Sequence, residues 1–525
     1  MPQQEIPAGP EGVATSAVKV NATKPLSESP LKRLSRSLWW RTHWLLPNLL
    51  PSPGRDREYQ LKHDLEANQE SRVPAEENLR LSAFWAMEIF GPTESDRLYS
   101  ALETLGWSAG FRSHNEGGAL EWVQQQRTYG LGGTYNVGYV TKRADRGKYL
   151  LKGNYASLPD EVDHLIVRLH QVVPSVTCVV VCFVMKPEAA TRYERELNKD
   201  RISQRQRLPD WTIGELDPVH LKQRAMARAR EDVLLMAHKW FRVHLPGFFA
   251  ATNRPERHPA AEFLTTESQA LFSQDFRGGF FDWQRILANV GRSSVWTCRE
   301  IPSLQFTEER ARWPHEHRFW LTVNLITTQL PTKQLEVYGA GERAYMHMCH
   351  ERLEGLLCHF AVTAYLTEVS RDLKVAREGL NVSQNKGRVF RKIQEIQQFF
   401  DQNLGIPVAA RELVEESKST GQYRHDCEDF TAPAWGKGEP DVQIAEVLRA
   451  RVHSLASGII VDESSTREHF EQVSTILSIQ ESIRTQRRME LLTIAALLVG
   501  LGSLLAALPD KWIANISAMW KLLVN

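Results

Sequence analysis

SLPDEVDHLIVRLHQVVPSVTCVVVCFVM, residues 157–185, decides how the first half of the chain is read. Ser157 stands where an N-cap would. Val162, Leu165, Ile166 and Leu169 follow at the spacing of one helical face, which predicts a helix over Leu158–Val173. After Pro174, VTCVVVCFVM (176–185) is apolar on both faces, as an interior strand would be. Upstream, Leu81, Ala83, Trp85, Met87 and Ile89 alternate with other residues, as in a half-buried strand. TESDRLYSALETLGW then offers Thr93 as N-cap with Asp96 three residues on, and Leu98, Leu102 and Leu105 on one helical face. Shorter strand-like pieces lie at ALEWVQQQ, TYNVGYVT and KYLLKG.

Strand, helix, strands, helix and strand, in that order, predict an α+β protein whose residues 76–186 form a ferredoxin-like split β-α-β domain. Such a fold hosts many activities and names none. Residues 187–335 read as two charged helices, separated by a loop over Pro209–Pro218, and then a mixed α/β strand region ending in RFWLTVNLIT. Residues 336–488 are helical in pattern. The last helix there, about 467–490, has a stalk-like apolar face of Phe470, Val473, Ile476, Leu477 and Ile483. Residues 1–75 have the Pro-, Ser- and Gln-rich composition of a mostly disordered tail. One basic, tryptophan-rich amphipathic island, residues 30–51, interrupts it; docking on the body or contact with an anionic lipid surface would both suit it.

RRMELLTIAALLVGLGSLLAALPDKW, residues 487–512, holds nineteen consecutive uncharged residues between Glu490 and Asp510. A helix of that length spans roughly 28 Å, which predicts one transmembrane helix over 489–509. Arg487 and Arg488 before it, against few cations after, place the N-terminal bulk in the cytoplasm; a single-pass bacterial inner-membrane protein is the expectation. Thr493, Ala496, Gly500, Ser503 and Ala507 share one face at 3–4 spacing, a helix-packing stripe for self-association or for another membrane protein. Residues 510–525 read as an interfacial amphipathic tail carrying Trp512 and Trp520. The expected partners are thus the lipid bilayer and a homo-oligomer.

Over 525 residues, 64 Lys and Arg stand against 63 Asp and Glu, a net charge of +1. No specific nucleic-acid partner is predicted from that balance. The six cysteines are too scattered for a disulfide framework, and residues 1–30 hold no apolar segment of a secretory signal.

HMCHERLEGLLCH (347–359) is the most metal-like run. On a helix His347, Glu351 and Glu354 share a face, with His350 at its margin, and imidazole with carboxylate at such spacing suits zinc or iron. A packed, hydrogen-bonded helix face is the commoner meaning of such a run, and no cofactor is predicted. YGLGGTYNVG (129–138) lacks the third glycine of a dinucleotide fingerprint and the Gly-Lys-Ser/Thr of a P-loop, so it reads as a hairpin loop. WPHEHRFW (313–320) and HDCEDF (425–430) gather histidines and acids without a catalytic signature. The basic run Arg192–Arg207 is interleaved with acids, as on a salt-bridged surface.

Three functions fit. The first is a membrane-anchored, self-associating interaction or regulatory protein facing the cytosol, with no identifiable catalysis. The second is a membrane-anchored metal-dependent hydrolase or nuclease. The third is a subunit of an oligomeric channel or transporter with a CorA-like layout. Leu508-Pro509-Asp510 stands where that family has Gly-Met-Asn, so the likeness stops at layout.

Overall fold

Val162–Val173 and Val176–Met185 are the two arms of a β-hairpin in the computed structural model. It describes residues 30–45, 57–108, 117–130, 132–145, 153–207, 213–272, 282–287, 295–309, 319–381, 394, 398, 400, 405–427, 429–434, 439–507 and 510–524. The helix expected over Leu158–Val173 is therefore a strand. Its apolar residues satisfy a period of two as well as of 3.6: His164, Ile166, Arg168 and His170 alternate with Leu165, Val167 and Leu169. Pairing with the β-branched run after Pro174-Ser175 settles the ambiguity. ALEWVQQQ errs the other way: Ala119–Tyr129 is a helix ending on Gly130, whose φ of +69° suits a left-handed C-cap. KYLLKG lies almost wholly outside the described residues.

The strands are β1 (Arg80–Phe90), β2 (Gly133–Thr141), β3 (Asn154–Tyr155), β4 (Val162–Val173), β5 (Val176–Met185), β6 (Gln204–Arg207), β7 (Ile213–Leu216), β8 (Ala260–Thr266), β9 (Val295–Cys298), β10 (Leu304–Glu308), β11 (Trp320–Ile326), β12 (Phe430–Ala432) and β13 (Val442–Gln443). The helices used below are α1 (Pro30–Leu45), α2 (Arg57–Glu70), α3 (Ser95–Leu105), α4 (Ala119–Tyr129), α5 (Pro218–His244), α6 (Glu342–Asn381), α7 (Ile406–Lys418), α8 (Gly421–Cys427), α9 (Ile444–Ala506) and α10 (Asp510–Val524).

Eleven strands form one mixed sheet, in the order β13-β12-β9-β10-β11-β8-β1-β5-β4-β2-β3. This replaces the ferredoxin-like domain, because the first strand pairs directly with the last strand of its own segment and, among the described residues, no α-helix lies between β2 and β5. Two runs repeat one logic: β1-β5-β4-β2 and β8-β11-β10-β9 each place the first strand beside the last. They meet at the antiparallel β1–β8 seam. Among the described residues, only β11 on β8 and β3 on β2 pair in parallel.

Alternation along the strands gives the sheet two faces. Trp85, Met87, Cys178, Val180, Cys182, Phe263 and Val323 join the helices α6, α7 and α9 in one apolar core. Residues Gly355–Thr367 of α6 include no Asp, Glu, Lys or Arg, and this stretch is covered by the sheet and by neighbouring helices. Ile444, Leu448, Val452, Ala456 and Ile459 form the matching stripe on α9. On the other sheet face, Arg230 of α5 donates from Nε to Glu262 Oε2 at 3.1 Å and from Nη2 to Oε1, where Thr322 Oγ1 also donates at 2.7 Å.

The chain separates into two units, residues 1–67 with 201–221, and 68–200 with 222–525. In the first, β6 and β7 form a two-stranded hairpin where a bare loop between charged helices was expected, and Asp64 of α2 accepts from Ser203 N at 2.9 Å and Ser203 Oγ at 2.5 Å. Everything described below belongs to the second unit.

Among the described residues, no helix is long and apolar enough to cross a membrane. The expected span 489–509 is cut by geometry: α9 ends at Ala506, so its uncharged helical part is Leu491–Ala506. At about 1.5 Å per residue that part is about 24 Å long, short of a hydrocarbon core of roughly 30 Å. The single pass, the cytoplasm-facing orientation and the inner-membrane location fall with it, as does the place of Arg487, Arg488, Trp512 and Trp520 as flanks of a span. Those four side chains are exposed on α9 and α10.

Gly247 brings the backbone of its loop close to β1. A Cβ there would lie 2.6 Å from both Glu88 Cγ and the Ile89 carbonyl oxygen. Glu88, fully buried, accepts N–H bonds from Phe249 (2.7 Å), Ala250 (2.8 Å) and Ile89 (3.0 Å), while burial pushes its carboxyl up to about 8. Gly247→Ala should therefore cost about 1–3 kcal/mol of stability, read as a lower urea midpoint. An unchanged midpoint would contradict the packing described.

Candidate functional site

The four residues of the metal-like run do come together, as two histidine–glutamate pairs one turn apart on α6. His347 Nε2 lies 3.3 Å from Glu351 Oε1, and His350 Nε2 lies 3.5 Å from Glu354 Oε2. The second pair is close without the alignment of a hydrogen bond. Between the carboxylates sits Arg168 of β4, bonded through Nη1 to Glu354 and 3.9 Å through Nη2 from Glu351. Tyr338 O–H donates to the other oxygen of Glu351 at 2.7 Å.

This geometry decides what the group can hold. Trp85 Nε1–H donates to His350 Nδ1 at 3.0 Å, so Nδ1 is an acceptor and the proton of the neutral ring sits on Nε2. Burial, then the charge of Arg168, keeps His350 well below an ordinary imidazole pKa. Its available lone pair is thus occupied, and a guanidinium already supplies the positive charge the carboxylates face. Among the described residues, no three His, Cys, Asp or Glu are grouped to hold a metal ion. Burial pushes the Glu354 carboxyl up to about 8, against the opposing pull of Arg168.

A second tier lies beyond the residues singled out from sequence. His170 projects from β4 two residues after Arg168, and its Nδ1 is 3.2 Å from Thr134 Oγ1. His359 Nε2 lies 2.9 Å from Asp426 Oδ2 on α8, with the Tyr423 ring stacked at 4.2 Å. Gln422 donates to the same Asp426 oxygen at 3.0 Å. Asp426 comes from HDCEDF, and Gly355 lets it approach: a Cβ there would meet Asp426 Cβ at 2.6 Å. Burial drives His170 down to about 3, opposed by Asp426. Arg168 Nε, His170 Nε2, His350 Nε2, Glu354 Oε2 and His359 Nδ1 are all buried and without a hydrogen-bond partner among the described residues.

Arg168 and His170 were hidden by the helical reading of their segment, yet their two-residue spacing with His164 is a strand signal. YGLGGTYNVG runs into β2, and Arg192 pairs with Asp232 at 2.6 Å as on an ordinary salt-bridged surface. His315 and His317 of WPHEHRFW lie outside the described residues. The other candidate stripe, Thr493, Ala496, Gly500, Ser503 and Ala507, is exposed along α9.

No family model matches this chain, and no curated protein is similar to it. Its chemistry has to be read from its own residues.

The buried histidines make acid sensitivity calculable in sign. Both His170 and His350 have depressed folded pKa values, so the unfolded chain takes up protons first as pH falls below 6.5. Native stability is lost from there down towards about 3, the value for His170, with a slope of at most about 1.4 kcal/mol per pH unit for each ring. The raised carboxyls of Glu88 and Glu354 act in the opposite sense over this range, so the histidine contribution is read by comparison. From pH 7 to pH 5 the wild-type denaturant midpoint should fall relative to that of a His170→Gln, His350→Gln double variant. The same pH dependence in both proteins would exclude a contribution from these histidines.

Proposed function

We propose that the protein is an interaction or regulatory component that works as a homo-oligomer, assembled through the end of α9 and α10. One observation carries this: the last third of α9 exposes an unbroken apolar surface. Leu491, Ile494, Leu497, Leu498, Leu501 and Leu504 are each more than half exposed. Apolar area left in water costs roughly 25 cal/mol per Å², and monomers seldom expose so contiguous a patch.

A second copy of the chain suits this surface. The small-residue stripe lets another helix approach closely, and an isologous contact would set stripe against stripe. The stripe is also poor in free donors, because Thr493 Oγ1 donates to the Met489 carbonyl and Ser503 Oγ to the Val499 carbonyl, each at 2.8 Å. Trp512, Ile516 and Trp520 continue the apolar surface along α10, all exposed. Aromatic anchors of this kind carry much of the energy in interfaces.

Light scattering on a sizing column should return a multiple of the 60.0 kDa protomer. Replacing Leu497 and Leu501 together by Glu should shift the particle to one protomer with circular dichroism unchanged. A 60.0 kDa wild-type particle at tens of micromolar would overturn the proposal.

A further inference from the structure

We propose that Ser157 and His244 form a catalytic dyad for acyl transfer, acting on small carboxylic esters with an apolar acyl chain. Ser157 Oγ lies 2.7 Å from His244 Nε2, the ring nitrogen that a serine nucleophile needs facing it. The pair lines a cleft of about 540 Å³ between the loop leading into β4 and the last turns of α5. Its apolar wall includes Leu158, Met185, Leu235, Met236 and Val243, which sets the acyl preference.

Both partners are held in place by one residue. Trp240 Nε1–H donates to the Ser157 carbonyl at 2.8 Å, and its ring packs 5.0 Å from the His244 imidazole. Burial lowers the His244 pKa, which keeps the ring neutral and able to accept a proton. Two cations line the same cleft. Arg192 is committed to Asp232 at 2.6 Å, and Lys239, which lines the cleft together with Glu161, is the cation that would offset charge on a developing oxyanion.

The chemistry balances with water as the only co-reactant. Ser157 Oγ bonds to the ester carbonyl carbon while its proton passes to His244 Nε2. The tetrahedral adduct then breaks its bond to the alcohol oxygen, which takes the proton from Nε2. Water attacks the acyl-serine, gives a proton to Nε2, and releases the carboxylic acid as Ser157 recovers that proton.

The test is reaction of the full chain with a fluorophosphonate, in which Oγ bonds to phosphorus and fluoride leaves, followed by peptide mass spectrometry. The adduct is expected on Ser157, absent in Ser157→Ala, and formed about a hundredfold more slowly in His244→Gln. No adduct on wild-type Ser157, or slowing of less than about tenfold in His244→Gln, overturns the proposal. Circular dichroism checks that the variants fold, and His244→Asn replaces His244→Gln should that one misfold. The readout is independent of oligomeric state, so it stands or falls apart from the assembly proposal.

Discussion

Holding α6 against the sheet is the constraint on which the rest of the molecule depends. One turn of that helix carries His350 and Glu354, and the strands beneath carry Trp85 and Arg168. The indole N–H, the imidazole and the guanidinium–carboxylate pair meet beside the apolar core that the sheet shares with α6. Removing Glu354 alone would strand the Arg168 guanidinium there, and a broken buried pair costs far more than an intact one contributes. The intact pair adds register: the helix can sit at one rotation and one height over β1 and β4.

That register propagates. With α6 set, Gly355 lies against Asp426, and α8 closes over His359 and Tyr423. The first turns of α9 then find their stripe against α6 and α7, from Ile444 to Ile459. On the opposite face Glu262 is tied to Arg230, so a buried ionic anchor fixes a helix on each side of the sheet. Glu262 sits on β8, one of the two strands of the β1–β8 seam where the four-strand runs join, and Arg168 sits on β4, separated from β1 by β5.

The order of packing also explains what α9 becomes. Its first five turns are covered by neighbours, whereas its last third shows its apolar side chains to solvent. A helix that is apolar all round needs cover all round. The stretch Gly355–Thr367 of α6 obtains that cover within the chain; Leu491–Ala506 has the same uncharged character without it. Composition alone does not separate these two cases.

Much of the local structure was legible in the residues. The β1 alternation, the helix beginning near Thr93, the interior character of VTCVVVCFVM and the helical run through HMCHERLEGLLCH each follow from side-chain period, and each appears where its pattern lies. His347, His350, Glu351 and Glu354 share a surface because helical spacing compels it. Pairing decided the rest. Val162–Val173 fits both periods, and only the partner strand β5 makes it extended. The spacing of α6 says nothing of Arg168, since the contact spans 186 residues of sequence, and a guanidinium there changes a metal-like face into an ion-pair network. Likewise Ser157 and His244 are 87 residues apart and meet only when the loop before β4 docks on α5. What the amino-acid sequence determines by itself is periodicity, set by each residue's own backbone and its near neighbours; which faces meet, and what charge stands opposite a titratable group, is decided by long-range packing that no local pattern encodes.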